Sequence, residues 1–163
     1  MRGNNVAIGN NVTIYPQVSI GEGCRILDGV VLGRLPLSTG NVIRPLPDEH
    51  LPLHVGAGSV IGCNSILYTG VTLGEKVLIC DSSNIREGSV LEDHVFLARC
   101  VMVNSNNHIG SRTRVMDSTY LAGNMVVEED VFIGMGVISS NDPNVYLSRF
   151  GFGKHHFQGP TIR

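Results

Sequence analysis

The chain has 163 residues, of which 42% are hydrophobic and 16% are charged, and its formal net charge is −2. A chain of this length can bury a substantial core, and we predict one domain over residues 1–163. The small net charge gives no support for a nucleic-acid partner, and no apolar stretch is long enough for a membrane span. The first residues enter the repeat described below at once and leave no room for a signal segment, so we expect a cytoplasmic protein.

Aliphatic side chains recur at every sixth position, in two runs. The first run is Ile8, Ile14, Ile20, Ile26 and Leu32, and the second is Val55, Ile61, Leu67, Leu73, Ile79, Ile85, Leu91, Leu97, Val103, Ile109, Val115, Leu121, Val127 and Ile133. This period fits neither a helix nor a continuous strand, but it is typical of short strands separated by corners that need positive φ angles. The residue two before each aliphatic is often small and points the same way. Stacked units therefore cover one another and build a shared core.

Several units begin with an aliphatic residue followed by glycine, as in Ile8-Gly9, Ile61-Gly62 and Ile133-Gly134. This pattern resembles the aliphatic-Gly-x-x-small-x motif of the hexapeptide-repeat family over about residues 6–138. The resemblance implies an all-β fold, a single-stranded left-handed parallel β-helix of about six coils with three hexapeptides in each. Equivalent positions of successive coils then stack directly above one another.

Two segments interrupt the period, and we predict loop excursions at 33–54 and 139–161. The first segment is rich in proline, at Pro36, Pro45, Pro47 and Pro52. Its prolines and apolar residues favour an ordered loop, which serves either as a subunit-contact arm or in substrate binding. The second segment is rich in aromatic and cationic residues, which either hold a nucleotide or sugar or pack into a cluster of their own.

The end of the repeat resembles the sugar N-acyltransferases of this superfamily, which acetylate amino groups on nucleotide-linked sugars. The matching residues are Val131-Phe132-Ile133-Gly134, Ser140-Asn141-Asp142, Arg149 and Gly159-Pro160-Thr161-Ile162. The resemblance implies an amino sugar or nucleotide sugar as substrate, acetyl-coenzyme A as co-substrate, no metal, and a homotrimer with active sites between subunits. Family members continue with further coils that supply much of the coenzyme A groove, whereas this sequence ends at Arg163.

The same resemblance assigns candidate site residues. Asp117 and Ser118 occupy the place of an Asn-Asn pair near the sugar amine, so Asp117 either accepts or orients the amine proton or is an ordinary corner aspartate. His94 lies three residues after Leu91, where galactoside- and antibiotic-type relatives carry their catalytic histidine, or it is a solvated corner residue. We predict substrate binding by Ser118, Asn141, Asp142, Arg149, His155 and His156.

Other interpretations stay open from the sequence. A γ-type carbonic anhydrase shares this fold, but the six histidines lack its spacing of zinc ligands. A non-catalytic assembly or ligand-binding module would use the β-helix only to present a surface. His108 precedes Ile109 on the outward side of its unit, and it is either a surface residue or one that projects towards a neighbouring subunit.

Overall fold

The computed structural model describes residues 2–42, 45–141 and 158–163, and it contains short strands and no long helix in those ranges. The strands are β1 (Ala7–Ile8), β2 (Thr13–Ile14), β3 (Val18–Ile20), β4 (Arg25–Ile26), β5 (Val31–Arg34), β6 (Leu53–Val55), β7 (Val60–Ile61), β8 (Ile66–Tyr68), β9 (Thr72–Leu73), β10 (Leu78–Ile79), β11 (Asn84–Ile85), β12 (Val90–Leu91), β13 (Phe96–Leu97), β14 (Met102–Val103), β15 (His108–Ile109), β16 (Arg114–Val115), β17 (Tyr120–Leu121), β18 (Val126–Val127), β19 (Phe132–Ile133) and β20 (Thr161–Ile162). Across the described ranges, none of the chain forms a helix that is long and apolar enough to cross a bilayer.

Every third strand belongs to the same face of a three-sided solenoid. The first face is β1-β4-β7-β10-β13-β16-β19, the second is β2-β5-β8-β11-β14-β17, and the third is β3-β6-β9-β12-β15-β18-β20, all joined in parallel. This arrangement confirms the predicted parallel β-helix with three hexapeptides in each coil. Two faces hold seven strands, one more than the six coils that the period predicts. On the first face the seventh strand is β19, and on the third face it is β20, which returns after the second excursion.

The repeat aliphatics form the core. All of them are buried except Ile8 and Ile14, which belong to the first coil, where no earlier coil covers them. The small inward residues include buried hydroxyls that bond along the helix axis. Ser59 accepts a hydrogen bond from the backbone N–H of Val77 at 3.0 Å and donates one to the carbonyl of Gly74 at 3.2 Å. Because no buried side-chain N or O atom in the described ranges lacks a partner, the interior is a satisfied scaffold, and chemistry must use the outer side chains.

The corners contain the left-handed residues that the sequence predicts. Asn11, His94 and Ser118 have φ angles of 55°, 60° and 57°. We call the turn from the first face to the second the first corner, the turn from the second to the third the second corner, and the remaining one the third corner.

Both excursions leave from the second corner. The first connects β5 to β6 over 35–52, shorter than the predicted 33–54 because β5 continues to Arg34 and β6 begins at Leu53. The second follows an isolated bridge at Ile138 and ends at β20. Five coils separate them, which is about 24 Å at the spacing of paired strands. The second corner is therefore the side of the solenoid where the repeat is most altered.

The stacking predicts a large difference in cost between neighbouring residues of one strand. Leu91 is fully buried, whereas the adjacent Val90 points outward and is 37% exposed. We expect Leu91→Ala to lower the free energy of unfolding by about 2–5 kcal/mol, because it leaves a cavity between coils. Val90→Ala is the matched control and should change it by less than about 0.5 kcal/mol. Urea denaturation followed by circular dichroism measures both, and similar losses in the two variants would contradict the assigned register.

Candidate functional site

Asp117 lies at the first corner, at the edge of a groove of about 300 Å³ on the first face. The floor of the groove is apolar and includes Leu78 and Phe96. Arg99, one coil earlier, donates a hydrogen bond from Nε to Oδ1 of Asp117 at 2.8 Å, and this bond lowers the pKa of Asp117. An ionised carboxylate of this kind accepts hydrogen bonds from an amine or hydroxyl, but it is a weak acceptor of a proton. Ser118 follows it as an exposed corner residue.

His94 lies at the third corner, away from Asp117. Its backbone N–H donates to the carbonyl of Glu75 at 2.9 Å, and its side chain is exposed. In the described part of the chain, no side chain holds the His94 ring by a hydrogen bond or ion pair. One protomer therefore does not bring the two predicted catalytic residues together, and no described side chain fixes the orientation of the His94 ring, as a partner does for a typical general base.

Asn141 lies at the second corner, at the start of the second excursion. Its Nδ2 donates to the carbonyl of Gly123 at 3.0 Å, one coil earlier. The remaining predicted substrate residues, Asp142, Arg149, His155 and His156, lie outside the described residues. The described members of the predicted set thus occupy all three corners of the solenoid.

His108 forms a histidine–carboxylate pair on the outer side of the third face. Its Nε2 lies 2.8 Å from Oε1 of Glu92, and Ser111 donates to Oε2 of Glu92 from its backbone N–H at 3.1 Å and from its hydroxyl at 2.8 Å. These bonds, the Ser111 hydroxyl's first, lower the pKa of Glu92. Because an ionised carboxylate can only accept, the neutral His108 ring carries its proton on Nε2 and leaves Nδ1 as an acceptor.

The His108 pair borders an acidic groove of about 360 Å³, which also contacts Glu128 and Glu129. Glu128 bonds to Arg163 and Glu129 to Arg112, and both side chains remain about half exposed or more, at 48% and 66%. The carboxylates of this groove can accept hydrogen bonds from a protonated amine, in addition to those from their arginine partners. The sequence contains a signal for this site, since stacking by 18 residues places Glu92 beneath Gly110, two positions after His108.

A second polar cluster lies at the second corner. Arg86 donates from Nε and Nη2 to both carboxylate oxygens of Glu87 at 2.8 and 3.1 Å, and the Glu87 side chain is only 5% exposed. The guanidinium carbon of Arg86 lies 4.8 Å from the ring centroid of Tyr68. Asn104, one coil later, donates from Nδ2 to the hydroxyl of Tyr120 at 2.8 Å. A comparison of residues 18 positions apart in the sequence, which lie in successive coils, would have found this cluster. It has large polar residues where other corners often have glycine.

These clusters differ in what they can do chemically. In the Arg86–Glu87 pair the guanidinium is held in one orientation, and its remaining N–H groups can donate to an anion, while the His108–Glu92 pair is suited to accept a proton. Among the residues with described positions, no three His, Cys, Asp or Glu side chains are grouped closely enough to hold a metal ion.

Two family models match the repeat region. Residues 3–34 match the bacterial transferase hexapeptide (six repeats), and residues 52–80 match the hexapeptide repeat of succinyl-transferase. The matched segments lie on either side of the first excursion. The chain therefore carries hexapeptide repeats of the kind found in transferases.

Curated relatives align with most of this chain. It is 29% identical over 97% of its length to the bifunctional protein GlmU of Pelobacter propionicus and covers 31% of that protein. It is 28% identical over 80% of its length to the UDP-3-O-acylglucosamine N-acyltransferase of Bordetella pertussis and covers 39% of it. The chain thus spans about a third of the length of the curated relatives it matches.

A solved structure shares the fold. A mutant of AntD, an N-acyltransferase from Bacillus cereus in complex with dTDP and coenzyme A, matches with a TM-score of 0.60 at 18% identity. The match covers 93% of this chain and 89% of AntD. At this identity the likeness shows the fold alone.

The lowered pKa of Glu92 predicts an effect of pH on stability. The folded state favours ionised Glu92, so its contribution is present above the pKa of the unfolded chain and is lost as pH falls through the lowered value. We expect Glu92→Gln to lower Tm near neutral pH, through a loss of at most about 1 kcal/mol. The difference from the wild type should vanish in strongly acid solution, which calorimetry at both pH values measures.

Glu75→Gln is the matched control, because Glu75 occupies the same corner one coil away and its side chain is exposed. It should leave Tm unchanged at both pH values. A deficit of Glu92→Gln that stays the same in acid would show that the pair does not depend on the charge of Glu92.

Proposed function

Because this chain belongs to the hexapeptide-repeat proteins, we propose that it is an acyltransferase. It moves an acetyl group from coenzyme A to the amino group of a sugar that is carried on a nucleotide. The observation that carries the proposal is the His108–Glu92 pair beside an acidic groove. The names of the relatives support the reaction class, and the dTDP and coenzyme A bound to AntD support the two substrates.

The reaction needs a neutral amine and a way to remove its proton. The amine nitrogen attacks the thioester carbonyl carbon, the C–N bond forms, the C–S bond breaks, and coenzyme A leaves as the thiolate. In our proposal Nδ1 of His108 accepts the proton that the nitrogen loses. Glu92 keeps the ring in one orientation and stabilises the imidazolium that forms. The nearby Glu128 and Glu129 favour the approach of the ammonium form of the substrate.

Asp117 keeps a role in this proposal as an orienting group. Its carboxylate is held ionised by Arg99, so we propose that it accepts a hydrogen bond from the sugar and does not take a proton. In one protomer Asp117, His108 and Asn141 lie on different corners or faces. We propose a homotrimer, because a closed ring of three solenoids brings a corner of one protomer to a face of the next.

His108→Gln tests the base. We expect it to lower kcat by at least about 100-fold, the usual contribution of a general base. The matched control is His54→Gln, since His54 points outward from the same face, three coils away, and bonds to Ser19. Turnover is measured as thiol released from acetyl-coenzyme A with a panel of nucleotide-linked amino sugars.

The same assay includes His94→Asn, which keeps a residue tolerant of the left-handed corner and should retain wild-type kcat. Loss of kcat in His94→Asn with none in His108→Gln would transfer the role of the base to His94. A wild-type protein that releases no thiol with any acceptor would refute the acyltransferase.

Asp117→Asn separates orientation from proton transfer. If Asp117 orients the acceptor, KM for the sugar rises by about tenfold, equal to one hydrogen bond to a charged group, while kcat changes little. Asp130→Asn is the control, because Asp130 is also a corner aspartate held by an arginine, Arg112. A large fall in kcat with an unchanged KM would instead make Asp117 the proton acceptor.

A further inference from the structure

Aromatic and arginine side chains alternate along the second corner. Tyr15, Arg34, Tyr68, Arg86 and Asn104 follow one another on five successive coils, and we call this row the second-corner ladder. Four of them directly follow an inward aliphatic residue of the second face, and Arg34 follows one after an inserted glycine, so the row lies on the outside of the solenoid. Parallel pairing sets the rungs about 4.8 Å apart.

Arg34 reaches its rung through a glycine bulge. The register shifts between Leu32 and Arg34, so that Arg34, and not Gly33, pairs with Tyr68. Gly33 has a φ of 82°, and a Cβ atom there would lie 2.8 Å from Cγ2 of Val18. Only glycine fits this position without strain. The inserted residue turns the Arg34 side chain to the outer side, beside the Tyr68 ring.

Two cations therefore meet one tyrosine ring. The guanidinium carbons of Arg34 and Arg86 lie 5.7 and 4.8 Å from the Tyr68 centroid. Glu87 neutralises Arg86 and fixes its orientation, but it occupies only Nε and one N–H of Nη2, so the other N–H donors remain for a ligand. No carboxylate among the described residues pairs with Arg34.

One end of the ladder carries a pair of stacked rings. Tyr15 and His50 lie 5.3 Å apart between ring centroids, at an angle of 24°. His50 belongs to the first excursion, and its Nδ1 lies 3.0 Å from the carbonyl oxygen of Gly33. Tyr15, His50 and Arg34 line a groove of about 450 Å³ together with Leu35 and Leu37. A second groove, of about 280 Å³, follows at Tyr68 and Arg86.

We propose that the second-corner ladder binds a nucleoside diphosphate. Arg34 and Arg86 donate hydrogen bonds to the phosphate oxygens, and the base stacks at the Tyr15–His50 end, where apolar side chains line the groove. This inference rests on the proposed function, which supplies a nucleotide-linked acceptor. Coenzyme A carries the same chemical group, so the test below distinguishes the two sources.

Isothermal titration of the full chain with UDP, dTDP, GDP, coenzyme A and pyrophosphate tests the ladder. We expect Arg34→Ala to raise the Kd of the nucleoside diphosphate that the wild type binds by about tenfold, the value of one charge-assisted contact. Arg114→Ala is the matched control, because Arg114 lies 5.8 Å from the ring of Phe96 in a similar arrangement on the first face. It should leave the affinity unchanged.

Two more variants separate the phosphate from the base. Arg86→Lys keeps a positive charge beside the buried Glu87 but removes the planar guanidinium group. It should lower the affinity for pyrophosphate and for the nucleotide alike. Tyr15→Leu should lower the affinity for the nucleotide and leave the affinity for pyrophosphate unchanged. If the variants lose affinity only for UDP, dTDP or GDP, the ladder binds the nucleotide of the acceptor sugar. If they lose affinity only for coenzyme A, the ladder binds the acyl donor.

The outcomes for the ladder and for acyl transfer are independent. Binding that is equal in the wild type, Arg34→Ala and Arg86→Lys, or no binding of any probe, would overturn the ladder site. Acyl transfer by the wild type with unchanged nucleotide affinity in these variants would overturn the ladder site alone. Arginine-dependent binding of a nucleotide without acyl transfer to any sugar would support the ladder site and refute the proposed function.

Discussion

Backbone pairing between coils is the constraint on which the rest of this structure depends. Each strand donates and accepts hydrogen bonds with the strand one coil away, in a register that repeats without a shift over most of the length. Residues at equal positions must therefore lie about 4.8 Å apart and share one environment. Buried hydroxyls form rows along the axis for this reason, and so do charged pairs such as Arg99 with Asp117 and Arg112 with Asp130.

The same constraint explains why so much of the fold could be predicted from the sequence. Inward positions tolerate only side chains that pack or bond along the axis, so the aliphatic period is kept in both runs, from Ile8 to Leu32 and from Val55 to Ile133, and can be read directly. The excursions were located because they break that period. Their ends differ by a few residues, since β5 extends through the Gly33 bulge, a local feature that the six-residue pattern does not contain.

The six-residue pattern says less about the candidate site residues, for a physical reason. A corner residue such as Asp117 or His94 is judged from the sequence by its own unit, but its properties depend on the units above and below it. Arg99 holds Asp117 as a fixed anion, whereas no described side chain holds the ring of His94. His108 gains a partner because Glu92 lies in the preceding coil. Reading the sequence in steps of a full coil recovers such pairs, whereas reading it in steps of six does not.

The charges on the two sides of the second corner are opposite. The ladder places arginines at the second corner, beside the second face, and the third face, which begins after the same corner, carries His108 among glutamates. Asn104 and His108 are separated by only four residues, so at most about 14 Å of chain joins the end of the ladder to the histidine. A nucleotide-linked amino sugar has the matching polarity, with an anionic diphosphate at one part and a basic amine at another. In our proposals, the corner from which both excursions leave thus separates the arginines that hold phosphate from the histidine that deprotonates the amine.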